Sequence, residues 1–143
     1  MGIWVVQPDI KQLNSFQRDN TIGEVLGIDI TEVGEDYIQG TMPVNHKTHQ
    51  PMGILHGGAS VVLAESLGSM AANLCVDNSQ YYCVGLDINA NHIRAVRSGI
   101  VTGTAKPLHL GRSTQVWEIK IVDEQQRPVC ISRLTMSVLK HKH

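Results

Sequence analysis

"HQPMGILHGGASVVLAESLGSMAANLCV", residues 49–76, is the stretch on which the fold turns. A glycine-rich turn bearing His56 leads into a run of Ala, Leu and Val with no proline and no internal turn signal, which predicts a helix over Gly58–Val76. No Lys or Arg occurs from Ala59 to Val76, so this helix is expected to be enclosed on most sides. A single acid, Glu65, interrupts it. An ionised carboxylate taken out of water is costly unless it is paired or hydrogen-bonded, so the acid needs an account. Glu65, Ser69 and Asn73 lie four apart and share one helix face, a narrow polar stripe that either points to solvent or lines a site. Gly58, seven residues before Glu65, sets the first helical turn on the side of the acid.

Around that helix the pattern is mostly strand. Before it, "GIDITEV" and "YIQGTMPV" read as two strands about the turn Gly34, Glu35, Asp36, and Asp9 to Gly23 as a short lead helix with Ile10, Leu13 and Phe16 on one face. After it the period becomes two. In "YCVGLDINAN", Tyr82, Val84, Leu86, Ile88 and Ala90 alternate with Cys83, Gly85, Asp87, Asn89 and Asn91. Further strands are expected at Ile100–Ala105, Thr114–Val122 and Val129–Leu139, separated by the turn-like "PLHLGR" and "DEQQRP". In the last of them Cys130, Leu134, Met136 and Val138 share a face. Two strands, one long helix and four strands joined by hairpin-length connections predict an α+β fold, with a curved, largely antiparallel sheet wrapped around the helix.

Composition narrows the function classes. The 143 residues suit one domain over 1–143, with a lead over residues 1–23 and a tail over 140–143. Lys and Arg number 12 against 13 Asp and Glu, net charge -1, and form no basic cluster, so neither nucleic acid nor an anionic membrane is expected as a partner. Cys75, Cys83 and Cys130 are odd in number and form no CxxC pair, which fits buried free thiols in a reducing cytoplasm. The N-terminus has no secretory pattern, and no segment nears the roughly 20 apolar residues of a membrane span. His46, His49, His109, His141 and His143 lack metal-site spacing, although the "HKH" tail offers a weak nickel or zinc ligand. With aromatic content at 4%, aromatic stacking is not expected to be the sole source of ligand selectivity.

The chemistry is suggested by the turn and the acid together. Unpaired N–H groups at a helix N-terminus stabilise an anion, and the "HGG" turn allows close approach. Gly53 and Gly58 have P-loop spacing, but Ala59 stands where that loop requires Lys. The remaining use is an oxyanion hole for a carbonyl oxygen, with Glu65 as general base or nucleophile and Ser69 one turn on to hold water or the carboxylate. "GASVV" lacks the G-x-S-x-G frame, and Cys75 has an apolar setting without a nearby base.

With these residues in view, "QPMGILHGGASVVLAESLGS", "VGLDINANHIRAVRSG" and "LGRSTQVW" resemble the hotdog-fold acyl-CoA thioesterases, in the branch of 4-hydroxybenzoyl-CoA and 1,4-dihydroxy-2-naphthoyl-CoA thioesterases. The similarity runs from about Gly27 to Leu139. It implies a sheet wrapping the central helix, dimers paired into a tetramer, and an active site between subunits, with Glu65 from one chain and Gln50 and His56 from its neighbour. Glu65 would be the nucleophile or water-activating base and Gly57 the oxyanion donor. His56 and Gln50 would contact the thioester, and Ser69 would assist the hydrolytic water. Coenzyme A, part of the substrate and not a cofactor, would be bound by Asn91, His92, Arg94, Gly111, Arg112 and Ser113. Arg94, Arg97 and Arg112 are also suited on their own chemistry to grip phosphates.

The expected activity is therefore hydrolysis of an acyl-CoA, with an aryl acyl group favoured by family analogy and no metal or redox cofactor required. A proofreading thioesterase acting on an aryl carrier protein would use the same chemistry. A noncatalytic acyl-CoA binding module would share the fold, and a hotdog hydratase would need an Asp/His pair in place of Glu65.

Overall fold

The computed structural model describes residues 2–142. Two short helices open the chain, α1 (Ile10–Arg18) and α2 (Ile22–Leu26), followed by β1 (Asp29–Val33) and β2 (Ile38–Pro43). The long helix α3 (Gly57–Leu74) comes next, then β3 (Tyr81–His92), β4 (Ile100–Leu110), β5 (Thr114–Val122) and β6 (Pro128–Lys140). The six strands form one antiparallel sheet in the order β1-β2-β4-β5-β6-β3. Helix α3 packs against β2 through β6. This is the expected α+β arrangement, the hotdog fold.

Leu63, Leu67 and Ala71 on α3 meet Ile38, Met42, Val101, Ile119, Ile121, Leu134 and Met136 of the sheet, all fully buried. Small residues bring helix and sheet close. A Cβ on Gly40 or Gly103 would lie 2.9 Å from a methyl of Leu67, and one on Gly68 would lie 2.6 Å from Leu134 Cδ2. Glycine at these three positions thus sets the helix-to-sheet distance, since packed interiors leave no slack for an added methyl.

The two sheet edges are treated differently. The edge of β1 is covered by side chains of α1: Asn14 Nδ2 donates to Ile30 O at 2.9 Å while Ile30 N–H donates to Asn14 Oδ1 at 2.7 Å. Gln17 Nε2 and Arg18 Nε both donate to Ile28 O, at 2.7 and 3.0 Å. On β3 only the start is covered: Tyr81 N–H donates to Asp77 O at 2.8 Å, and Cys83 N–H donates to Asn73 Oδ1 at 2.8 Å while its carbonyl accepts from Asn73 Nδ2 at 3.2 Å. From Val84 to His92 the outer backbone groups have no partner among the described residues. Covered edges resist pairing with other chains, and an open one invites it.

Three expectations need correction. The lead helix of residues 1–23 is two helices, because Asn20 takes a left-handed φ of 58° and ends the first. Of its apolar face only Leu13 packs on the core; Phe16 is 79% exposed. The apolar face of β3 does not run its whole length. A bulge between Gly85 and Asp87 switches faces, so Cys83 and Gly85 look toward α3, Ile88 and Ala90 do so after the bulge, and Tyr82, Val84 and Leu86 look outward. Finally, most of "PLHLGR" is strand: β4 accommodates Pro107 at a register shift and turns only after Leu110.

Replacing Asn14 by Ala removes both bonds to Ile30 and should cost about 1–3 kcal/mol, read as a lower urea midpoint with unchanged m-value. An unchanged midpoint would show that water satisfies the β1 edge equally well.

Candidate active site

The site begins where α3 begins. His56 is its N-cap, accepting the Gly58 N–H on Nδ1 at 2.8 Å. A neutral imidazole used this way carries its proton on Nε2, which leaves a donor facing outward. The His56 carbonyl accepts from Ala59 and Ser60 at 3.0 and 3.3 Å. Of the first-turn donors this leaves the Gly57 N–H, which donates to no group among the described residues. An unpaired N–H at the positive end of a helix dipole is the physical content of an oxyanion hole.

The loop before it is fixed by the chain's own bonds. His56 N–H donates to Thr48 O and Leu55 N–H to Val96 O, each at 2.8 Å, and His49 Nε2 bonds to Arg97 O at 2.9 Å. Gln50 Oε1 accepts from Met52 N–H, which leaves its amide donors available. The imidazole of His92 stands against the start of the helix: a Cβ on Gly57 would meet its Nε2 at 2.8 Å. Gln50, Gly57, His92 and Arg94 line one cleft of ≈ 330 Å³.

Glu65 is half-buried and lies over β3, where a Cβ on Gly85 would take the place of its Oε2. No described group donates to or pairs with its carboxylate. The stripe of Glu65, Ser69 and Asn73 faces the β3 side and not open solvent, with Asn73 bonded to Cys83 and Ser69 Oγ 3.8 Å from Met136 Sδ. Gly85 as the seat of the acid was missed in the sequence. A glycine inside a strand is the available signal, because it marks a close approach.

These parts stand apart along the chain. Gly57 and Glu65 are eight residues apart on one helix, about 12 Å at about 1.5 Å per residue. A carbonyl must lie about 3 Å from both donor and nucleophile. The two groups of coenzyme A candidates are also apart. Asn91 and His92 end β3, where His92 pairs with Cys130, whereas Gly111, Arg112 and Ser113 form the β4–β5 turn, beside Thr114, which pairs with Ser137. Cys130 and Ser137 are seven residues apart along β6, about 23 Å at about 3.3 Å per residue. Arg94, Arg97 and Arg112 are exposed and make no ion pair among the described residues.

The thiols offer no alternative nucleophile. Burial pushes Cys75 up to about 12, with Cys83 adding to the shift, and raises Cys83 to about 11. Cys130 is raised by the same cause. All three stay protonated at neutral pH. Among the described residues no three His, Cys, Asp or Glu gather to hold a metal; His143 of the "HKH" tail lies outside them. No described helix is long and apolar enough to cross a membrane.

A helix packed on an antiparallel sheet, with a free donor at its N-terminus and an unpaired acid on its flank, has the parts that hydrolysis of an activated acyl group calls for. The sequence model of the thioesterase superfamily matches residues 52–130, and the chain belongs to that superfamily. It is 50% identical over 137 residues to a 1,4-dihydroxy-2-naphthoyl-CoA hydrolase of Escherichia coli strain K12, covering 96% of this chain and 99% of that one. It is likewise 50% identical to a proofreading thioesterase of Cronobacter turicensis, covering 96% and 98%. The crystal structure of a mutant thioesterase of Pseudomonas aeruginosa superposes with a TM-score of 0.96 at 54% identity, covering 98% of this chain and 100% of that one. A thioesterase of Haemophilus influenzae gives 0.94 at 49%, covering 99% of each. The protein is a thioester hydrolase.

Gly85→Ala should displace the Glu65 carboxylate and lower kcat for thioester hydrolysis by about a hundredfold, with the thermal midpoint little changed. Unchanged kcat would show that the acid works from another position.

Proposed function

We propose that the protein hydrolyses an acyl-CoA, with an aryl acyl group favoured, to the free acid and coenzyme A, in an active site completed by two chains. The observation that carries this reading is a pair of unused groups. The Gly57 N–H and the Glu65 carboxylate are both without partners among the described residues, yet too far apart to act together in one chain. A two-fold axis across the middle of the open β3 edge would relieve both separations at once. It would set the acid above Gly85 beside the partner copy's helix start, and the β4–β5 turn near that copy's strand end. Antiparallel edge pairing is also what an uncovered β3 is suited to, with Val84 and Leu86 exposed on it. Following the family resemblance, two such dimers would pair into a tetramer.

In this site the thioester oxygen would accept from the Gly57 N–H of one chain, with Gln50 and His56 of that chain orienting the ester. Glu65 of the other chain would attack the carbonyl carbon, or draw a proton from a water that does so while Ser69 holds that water. The tetrahedral adduct would collapse with loss of the C–S bond, and the departing thiolate would take up a proton; where Glu65 itself attacks, water would then hydrolyse the mixed anhydride on Glu65 to release the acid. Water is the only co-reactant, so the reaction calls for no metal or redox cofactor. Asn91, His92, Arg94, Gly111, Arg112 and Ser113 would hold the coenzyme A portion, the arginines at its phosphates. Support for the aryl acyl group comes from the naphthoyl-CoA hydrolase relative, and three free thiols support a cytoplasmic location. The proofreading relative favours a second reading, in which the acyl donor is a misloaded carrier protein. That reading requires kcat/KM for an acylated aryl carrier protein far above that for the coenzyme A ester.

Thiol release from benzoyl-CoA tests the principal reading. Glu65→Ala should lose about a thousandfold in kcat, as expected for a principal general base or nucleophile. Gly57→Pro, which keeps a helix-compatible residue at the first position but removes its N–H, should lose about a hundredfold or more, with Gly57→Ala, which sets the same Cβ against His92 but keeps the N–H, as the control that loses less. Equal slow release by wild type, Glu65→Ala and Gly57→Pro would mean that this chain binds acyl-CoA without turning it over.

A further inference from the structure

A second cleft, of ≈ 720 Å³, lies between α1 and the C-terminal half of α3, beside the start of β3. It continues the catalytic stripe, since Ser69 and Asn73, one and two turns beyond Glu65, line it. The chain has one Phe, two Trp and three Tyr. Three of these, Phe16, Tyr81 and Tyr82, line this cleft. Tyr82 stacks on His141, ring centroids 4.9 Å apart; Trp4 and Trp117 are buried and donate to Gly34 O and Gln115 Oε1, and Tyr37 donates to Glu32. Low aromatic content argues against stacking as the sole source of selectivity, yet the fold brings half of that content to the residues around this cleft.

Phe16 differs from the other two. Helix α1 is anchored by one face, through Asn14, Gln17 and Arg18 on β1, so its backbone is fixed. Asp9, Gln12, Leu13 and Phe16, spaced as one helix face, turn toward the cleft. Leu13 packs on the core, whereas the Phe16 ring is 79% exposed. A lone exposed Phe needs no explanation. One mounted on an anchored helix at the rim of an apolar cleft, with Tyr81 also in its lining, is placed to cover a ligand.

We propose that Phe16 is a specificity-determining residue whose ring closes over a flat acyl group seated in the α1–α3 cleft, beyond the thioester carbon held at Glu65 and Ser69. The identity of the ligand rests on the thioesterase reading above. Offset stacking favours an aromatic acyl group over an alkyl chain of similar size by roughly tenfold at most, so the effect belongs in a ratio and not in absolute rate.

The test compares wild type, Phe16→Ala and Phe16→Trp in kcat/KM for benzoyl-CoA and hexanoyl-CoA. It also compares their affinities for the non-hydrolysable ketones S-phenacyl-coenzyme A and its pentyl ketone counterpart, by calorimetry. Phe16→Ala should lower the aryl-to-alkyl ratio about tenfold in both measurements, Phe16→Trp should preserve it, and neither should move the thermal midpoint. A ratio unchanged within about twofold overturns the inference. So does dissociation of subunits by Phe16→Ala in sedimentation, which would make the ring a subunit contact. If wild type hydrolyses neither ester while the ketone affinity ratio still falls in Phe16→Ala, the thioesterase reading fails and the role of Phe16 stands. If wild type turns over and the ratio does not move, the thioesterase reading stands and the role of Phe16 fails.

Discussion

The start of α3 and the acid on its flank are eight residues apart, about 12 Å along the helix axis, and the two-chain site proposed above rests on that separation. Gly57 and Glu65 sit on the same helix because its N-terminus supplies the dipole and its flank supplies the acid. At that distance along the axis, each would serve another copy in the two-chain site. Side chains of α1 cover the β1 edge, while β3, directly below Glu65, keeps its outer backbone open. Edge protection costs several side-chain hydrogen bonds. It is present at the end of the sheet away from the acid and nearly absent beside it.

The same strand shows how a local irregularity serves the site. The bulge after Gly85 turns Cys83 and Gly85 toward the helix, where Asn73 takes the backbone of the first and Glu65 occupies the space above the second. Without the bulge, continuous alternation would place Ile88 and Ala90 on the outer face. Leu134 and Ser132, which they oppose, would then lose their neighbours in the core. One inserted residue therefore satisfies the packing of the strand's second half and the placement of the acid in its first.

Much of the fold was legible in the sequence because it rests on periodicity. The uninterrupted apolar run gave α3 to within two residues at either end, and the alternating stretches gave the strands. The bulge was not legible, because an inserted residue leaves the composition of a strand unchanged and alters only its register. Nor was the break of the lead helix, which depends on Asn20 adopting a left-handed conformation that asparagine permits but does not require. Gln50, Gly57, His92 and Arg94 line one cleft at the helix start, a gathering of His92 and Arg94 with the turn that no local pattern indicated, and Glu65 stands apart from them. The eight-residue spacing between Gly57 and Glu65 was visible throughout in the sequence. The aromatic cleft was not, since its walls come from residues 6–16, 69–83 and 141, segments that no local pattern connects.

The most direct test of the two-chain site mixes two disabled variants. Glu65→Ala and Gly57→Pro, unfolded together in equal amounts and refolded, form mixed pairs in which one of the two sites draws an intact acid from one chain and an intact N–H from the other. Random pairing makes half of the dimers mixed, so thiol release should recover to about a quarter of the wild-type rate. A mixture no more active than its separate components, with mixed pairs shown to be present, would contradict the account and return both groups to a single chain.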